Sequence, residues 1–129
     1  MPKFELPRPT EAELAILRVL WDRGPSTVRE VTDILQEERG TGYTTALKLL
    51  QIMTEKGLVQ RDESSRAHAY EAVASAETTQ RQLVRDLLDR AFGGSARQLV
   101  LQALSAKRAS RQELAEIRRL LDEFEKKAK

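Results

Sequence analysis

The fold of this chain is decided by residues 42–57, which read GYTTALKLLQIMTEKG. At about 100° of rotation per helical residue, this stretch predicts a helix from Tyr43 to Lys56 that ends at Gly57. One side of the helix is apolar and carries Ala46, Leu49, Leu50 and Met53. The opposite side is polar and carries Thr44, Lys48, Gln51 and Glu55. We therefore expect one buried face and one face in solvent.

The polar side of this helix has the chemistry of a DNA-reading surface. No acidic residue occurs from Thr41 to Thr54. Hydroxyl, amide and ammonium groups can donate hydrogen bonds to phosphates and base edges without repelling DNA. Tyr43 stands at the helix N-terminus, where free backbone N–H groups favour a phosphate. An ordinary solvated helix face is polar too, so this helix alone leaves both interpretations open.

Two further helices are predicted before this one. The first begins at a capping box formed by Thr10 and Glu13 and runs to about Arg23. A glycine and a proline then end it. The second helix begins near residues 26–27 with another capping box and ends at Gly40.

Residues 58–73 predict a β-hairpin, with a polar turn at residues 62–66. Three helices followed by a hairpin are the order of a winged helix-turn-helix domain. Arg61 and Arg66 flank the turn, where a wing would approach the DNA backbone or minor groove. Asp62 and Glu63 lie beside them and oppose such a contact, and charged turn residues are often only solvated.

The sequence predicts two domains. Residues 1–74 form the first domain, and residues 75–129 form a second, helical domain. Its three stretches carry apolar stripes, and the last stripe has spacings of three, four and three, as in a coiled-coil seam. Such stripes need a large apolar partner surface, and a second copy of the chain supplies one. We expect a homodimer that packs through Leu83, Leu87, Leu99, Leu114, Ile117, Leu121 and Phe124.

Composition narrows the class of protein. Of the 129 residues, 40% are hydrophobic and 33% charged, and the formal net charge is +2, as in a globular domain. There is no cysteine, which excludes disulfides and thiolate chemistry and fits a reducing compartment. No stretch resembles a signal peptide or a membrane helix. We therefore expect a cytoplasmic protein without membrane insertion.

The sequence contains almost none of the residue patterns that are typical of an enzyme active site. His68 is the one histidine, and alone it forms neither a metal site nor a catalytic pair. Phosphate-binding glycine loops, nucleophile elbows and zinc-protease motifs are missing from the sequence. We expect no enzymatic activity, no metal and no cofactor.

Residues 42–51 and the following Glu55-Lys56-Gly57-Leu58-Val59 resemble the recognition helix and the start of the wing in the penicillinase-repressor family (BlaI/MecI/CopY). Residues 10–14 with Leu20-Trp21 are similar to that family's first helix, and residues 66–70 to its second wing strand. The resemblance covers nearly the whole chain. It implies a mainly α fold with a β-hairpin wing, a helical dimerisation domain, and repression at a dyad operator in double-stranded DNA. The DNA-binding residues would be Thr41, Tyr43, Thr44, Thr45, Lys48, Gln51, Arg61 and Arg66.

The resemblance also suggests how repression ends. In this family a membrane sensor metalloprotease often leads to cleavage of the repressor, in well-known members at an Asn-Phe bond. The matching segment here is Leu101-Gln102-Ala103-Leu104, which lacks that pair, so Gln102 and Ala103 mark only a candidate cleavage region. The chain also lacks the cysteine motif of the copper-responsive branch.

Two alternatives stay open. A winged-helix module could bind another protein instead of DNA. Its third helix would then present an acidic or apolar face, whereas residues 41–54 of this sequence contain no acidic residue and provide a polar face. A regulator that senses a small ligand is the other alternative, although no pocket can be read from the sequence.

Overall fold

Three helices open the part of the chain that the computed structural model describes, residues 8–64 and 66–128. They are α1 (Glu11–Arg23), α2 (Val28–Arg39) and α3 (Tyr43–Lys56). Both predicted capping boxes are present at the starts of α1 and α2. In each box the threonine Oγ1 accepts a 3.2 Å hydrogen bond from the backbone N–H of the glutamate, and the glutamate Oε1 accepts a 2.9 Å hydrogen bond from the backbone N–H of the threonine. These reciprocal bonds satisfy helix N–H groups that would otherwise lack partners.

A three-stranded antiparallel sheet accompanies the helices. Its strands are β1 (Ser26–Thr27), β2 (Val59–Asp62) and β3 (Ala69–Ala72), in the order β1-β3-β2. The predicted hairpin is therefore confirmed, whereas β1 was not predicted. A strand of two residues is too short to show the alternation of apolar and polar residues that marks a strand. Because residues 26–27 belong to this strand, the second helix begins at Val28, just after its predicted start.

One apolar core joins the three helices to the sheet. Its most buried members include Ile16, Leu17, Val31, Leu35, Ala46, Leu50, Met53, Val59 and Tyr70. Each buried leucine stabilises the fold by about 2 kcal/mol relative to an exposed one. Trp21 is half-buried against this core, and its indole Nε1 donates a 2.9 Å hydrogen bond to the backbone oxygen of Ala74. Helices α1 to α3 and the hairpin thus form the predicted winged helix-turn-helix.

A partly buried ion pair fixes the end of α3 against the start of α1. The Lys56 Nζ lies 2.7 Å from Glu13 Oε1, and the Glu13 side chain is only 4% exposed. Burial by itself would raise the pKa of Glu13, but the hydrogen bonds from Lys56 and Thr10 outweigh it and the pKa is lowered. Glu13 therefore serves both the cap of α1 and the position of α3.

Three more helices follow the sheet. They are α4 (Ala76–Ala91), α5 (Ala96–Ala106) and α6 (Arg111–Lys127). The chain divides into two compact units, Met1–Arg85 and Asp86–Lys129. The division falls inside α4, whereas the predicted boundary between residues 74 and 75 stands just before that helix and stays a prediction.

The second unit has no buried side chain among its described residues, 86–128. Its large apolar side chains lie half-buried or exposed, and Leu121 and Phe124 are 59% and 65% exposed. Across residues 8–64 and 66–128, none of the helices combines the length and the apolar character needed to cross a membrane.

Candidate nucleic-acid interface

The orientation of α3 agrees with the prediction from its sequence. Ala46, Leu50 and Met53 are completely buried, while Leu49 is half-buried. On the other side, the predicted DNA-binding residues Tyr43, Thr44, Thr45, Lys48 and Gln51 are all exposed, and Thr41 just before the helix is half-buried. The polar face of α3 is therefore free to meet a partner, and the individual DNA contacts stay predictions.

The N-terminus of α3 differs from those of α1 and α2. Its N-cap is Gly42, which offers no side-chain hydrogen bond, and its first turn contains no acidic residue. The free N–H groups and the helix dipole there favour an anion over a cation. Neither a capping side chain nor a carboxylate of the first turn therefore competes with a phosphate for these N–H groups.

The wing holds its two predicted arginines in different states. Arg61 forms an ion pair with Glu63; this hydrogen bond, with a second one involving Tyr70, raises the pKa of Arg61. The same ion pair lowers the pKa of Glu63. Arg66 is exposed, and no carboxylate of the described residues forms an ion pair with it. Arg66 is thus ready for an external anion, whereas Arg61 must first leave Glu63.

A surface cleft of about 450 Å³ lies where α2, α3 and the wing meet. Its lining includes Arg29, Tyr43, Arg61, Arg66, His68 and Tyr70. The Arg29 Cζ stands 5.8 Å from the centre of the Tyr43 ring, within the range of a cation–π contact. Three of the predicted DNA-binding residues therefore share one cleft.

Arg29 lines this cleft but was not among the predicted DNA-binding residues. It lies in the first turn of α2, outside both the third helix and the wing, where the prediction placed DNA contacts. The available signal was its position: in helix-turn-helix domains the helix before the recognition helix crosses the DNA backbone. A basic residue at the start of that helix is a candidate for a phosphate contact.

The predicted dimer residues lie along the C-terminal helices. Leu83, Leu99 and Ile117 are half-buried, whereas Leu87, Leu114, Leu121 and Phe124 are exposed. Gln102 and Ala103 lie inside α5 and are exposed. In the single chain the predicted dimer residues are thus incompletely buried. Their role in dimerisation, and the role of Gln102 and Ala103 in cleavage, stay predictions.

Comparison with known proteins gives consistent results. The family model described as the penicillinase repressor matches residues 9–123. The transcriptional regulator BlaI of Mycobacterium tuberculosis is 34% identical over 122 residues, covering 94% of this chain and 88% of that protein. The penicillinase repressor of Staphylococcus aureus is 20% identical over 116 residues, covering 90% of this chain and 92% of that protein.

Two solved structures share the fold of more than half of this chain. The solution structure of the DNA-binding domain of the repressor BlaI has a TM-score of 0.50 and 22% identity, and the match covers 59% of this chain and 90% of that one. Monomeric Bacillus licheniformis BlaI in complex with the blaP half-operator has a TM-score of 0.50 and 21% identity, with 56% and 88% coverage. At these identities the likeness concerns the fold alone.

Proposed function

Since this chain belongs to the penicillinase repressor family, we propose that it binds a palindromic DNA operator as a homodimer and represses transcription there. The family consists of transcriptional repressors of the BlaI type, and the chain is not an enzyme. Because its proposed ligand is chromosomal DNA, we expect it to act in the cytoplasm.

The observation that carries the proposal is the outward face of α3. Thr44, Lys48 and Gln51 project into solvent from a helix whose other side is anchored in the core. Their hydroxyl, ammonium and amide groups match the acceptors on base edges and phosphates. An acidic or apolar face would have favoured a protein partner, whereas this face carries one carboxylate, Glu55, beside its hydroxyl, ammonium and amide groups.

Dimerisation is supported by the state of the C-terminal helices. Several large apolar side chains of α4, α5 and α6 remain exposed in the single chain, among them Leu87, Leu104 and Leu121. A second copy would cover them, and a twofold axis would present two recognition helices to successive major grooves. The operator would then be an inverted repeat whose half-sites lie about one helical turn or more apart.

Release from DNA would follow any signal that separates the two copies. A cut between Gln102 and Ala103, as a membrane sensor metalloprotease system would cause, is one such signal. These residues lie within the helix α5, and a protease needs an extended segment, so the helix must open locally before cleavage. Mass spectrometry of the repressor from induced cells would identify the cut.

The proposal is tested by selecting duplexes from a random-sequence library with the purified full-length chain. We expect inverted repeats to be enriched and to compete against mixed-sequence DNA. Enrichment of isolated half-sites would contradict the dimeric operator, and a chain that retains no duplex at any salt concentration would contradict DNA binding itself.

Variants of α3 locate the interface with DNA. Thr44→Ala and Lys48→Ala each remove a donor from the exposed face, and we expect operator affinity to fall about 5- to 150-fold for each donor that binds a base edge directly. Lys107→Ala, which removes a lysine charge between α5 and α6, is the control and should bind normally. Unchanged mobility shifts for both α3 variants would reject the assigned face.

A further inference from the structure

The cleft between α2, α3 and the wing is built from elements far apart in the sequence. Arg29 comes from the first turn of α2, Tyr43 begins α3, and Arg66 and His68 belong to the loop of the wing. The core beneath fixes α2 and α3 relative to β3. These side chains consequently line one cleft beside the N-terminal end of α3.

The charge of the cleft points to an anion. Its described lining contains three arginines and no carboxylate. Arg29 and Arg66 form no ion pair with any carboxylate of the described residues, although other arginines such as Arg23 and Arg90 do. Arg61 is paired with Glu63, but two cations that lack such a partner, close to the N-terminus of α3, favour a negatively charged ligand.

The contact between Arg29 and Tyr43 prepares the arginine for such a ligand. A guanidinium that rests with one face over an aromatic ring keeps the N–H groups of its edge available. Those N–H groups match the spacing of two oxygens on one phosphate and can bind both at once. The ring also restricts the side chain before binding, which reduces the entropy cost when the phosphate arrives.

We propose that this cleft binds a backbone phosphate of the DNA, held by Arg29 while Tyr43 positions the guanidinium. The inference rests on the proposed function and assigns to α2 a contact beside those of α3 and the wing. A phosphate contact carries no sequence information. Arg29 therefore strengthens binding to any duplex, whereas Thr44 and Lys48 distinguish the operator from other DNA.

Binding of the full-length chain to a mixed-sequence duplex without an inverted repeat tests the proposal. Fluorescence anisotropy over about 50 to 200 mM NaCl gives the slope of log K against log[NaCl], which changes by about 0.9 for each phosphate contact. We expect Arg29→Ala to make this slope shallower by about that amount. Arg29→Lys keeps the charge and should retain the slope, but it should bind more weakly because a lysine cannot make the two-pronged contact.

The matched control is Arg18→Ala, which removes an exposed arginine from α1 that does not line the cleft. Both variants lose one positive charge, so a general effect of net charge would change their slopes equally. The fluorescence of Trp21, the one tryptophan of the chain, verifies that each variant is folded. If Arg29→Ala and Arg18→Ala have the same slope, the cleft proposal is overturned while DNA binding stands. If the wild-type chain binds no duplex, both proposals fall.

A double-mutant cycle tests the role of Tyr43. Tyr43→Ala removes the ring and should weaken binding by about 2- to 5-fold, the value of an exposed cation–π contact. If Tyr43 acts through Arg29, the variant carrying both alanines should bind no more weakly than Arg29→Ala alone. Fully additive losses would show that the tyrosine acts independently and would overturn its positioning role.

Discussion

Helices α1 and α6 carry similar apolar stripes but use them differently. In α1 the stripe is buried by the same chain, and Ile16 and Leu17 are at most 2% exposed. In α6 the corresponding side chains face solvent, and Leu121 and Phe124 are more than half exposed. Periodicity predicts that a helix has an apolar face, but it does not say whether the partner belongs to the same chain. The first unit has its partners within the chain, and we propose that the second finds them in another copy.

The largest effect is expected in the second unit. Leu121→Asp would place a charge in the proposed dimer interface and remove an apolar side chain whose burial contributes about 2 kcal/mol in each subunit. A loss of about 4 kcal/mol per dimer corresponds to about a 1000-fold weaker association. Sedimentation at micromolar protein should therefore show monomers, while the unfolding of the first unit, followed by Trp21 fluorescence, should be unchanged.

Gln112→Asp provides the control for this substitution. It introduces the same charge on the opposite side of α6, about 180° from Leu121 by the helical repeat, and should leave the dimer intact. A Leu121→Asp chain that still sediments as a dimer would contradict the proposal that this stripe forms the interface.

The second effect is expected within the first unit. Lys56→Met removes the cation that neutralises the buried carboxylate of Glu13. Leaving the carboxylate of Glu13 without its partner costs about 1 to 3 kcal/mol, which should appear as a lower urea midpoint in the fluorescence of Trp21. Sedimentation should be unchanged, because all the proposed interface residues except Leu83 lie in the second unit.

A double variant separates the ion pair from other effects of the lysine. Adding Glu13→Gln to Lys56→Met removes the stranded charge while the amide oxygen can still accept from Thr10, so stability should partly return. If the double variant is as unstable as Lys56→Met, the cost comes from the missing packing of the lysine stem rather than from the carboxylate.

The third effect is a dependence of stability on pH. The pKa of Glu13 is lowered in the folded chain from its ordinary value of 4.5. The carboxylate therefore stabilises the fold above that value, and its contribution disappears as the pH falls through 4.5 towards the lowered pKa. The difference in free energy of unfolding between the wild type and Glu13→Gln should narrow from about pH 7 to about pH 3. A constant difference would mean that Glu13 does not titrate as the structure indicates.

The features of the fold that could be predicted from the sequence are those that depend on residues close together along the chain. The start of α1 at its capping box, the limits of α3 and the hairpin all follow from signals within a few residues of one another. The pair formed by Glu13 and Lys56 was not predicted, because the two residues are 43 positions apart and Glu13 already had a role as a cap. Only the folded core brings them together.

For the candidate site, the sequence likewise predicted the features that lie within one helix and missed the contacts between elements. The exposed face of α3 follows from helical periodicity, and the exposure of Lys48 and Gln51 agrees with it. The contact between Arg29 and Tyr43 joins two helices across a turn, so neither helix indicates it alone. The ion pair of Arg61 with Glu63 was also missed, since the order of charges along a chain does not show which of them meet.

The smallest effect is expected for the ion pair of Arg61 with Glu63, in which a predicted DNA-binding residue of the wing already has a partner within the chain. Glu63→Gln would release Arg61 and remove a negative charge near the proposed phosphate. Because exposed ion pairs are weak, we expect affinity for a mixed-sequence duplex to rise only about 2- to 5-fold, with a steeper dependence on salt. Glu71→Gln removes an equal charge from β3, where Glu71 accepts a hydrogen bond from Gln60, and should raise affinity less. Equal gains in affinity for the two variants would mean that only the net charge of the protein matters. They would contradict the expectation that Arg61, once released from Glu63, binds DNA.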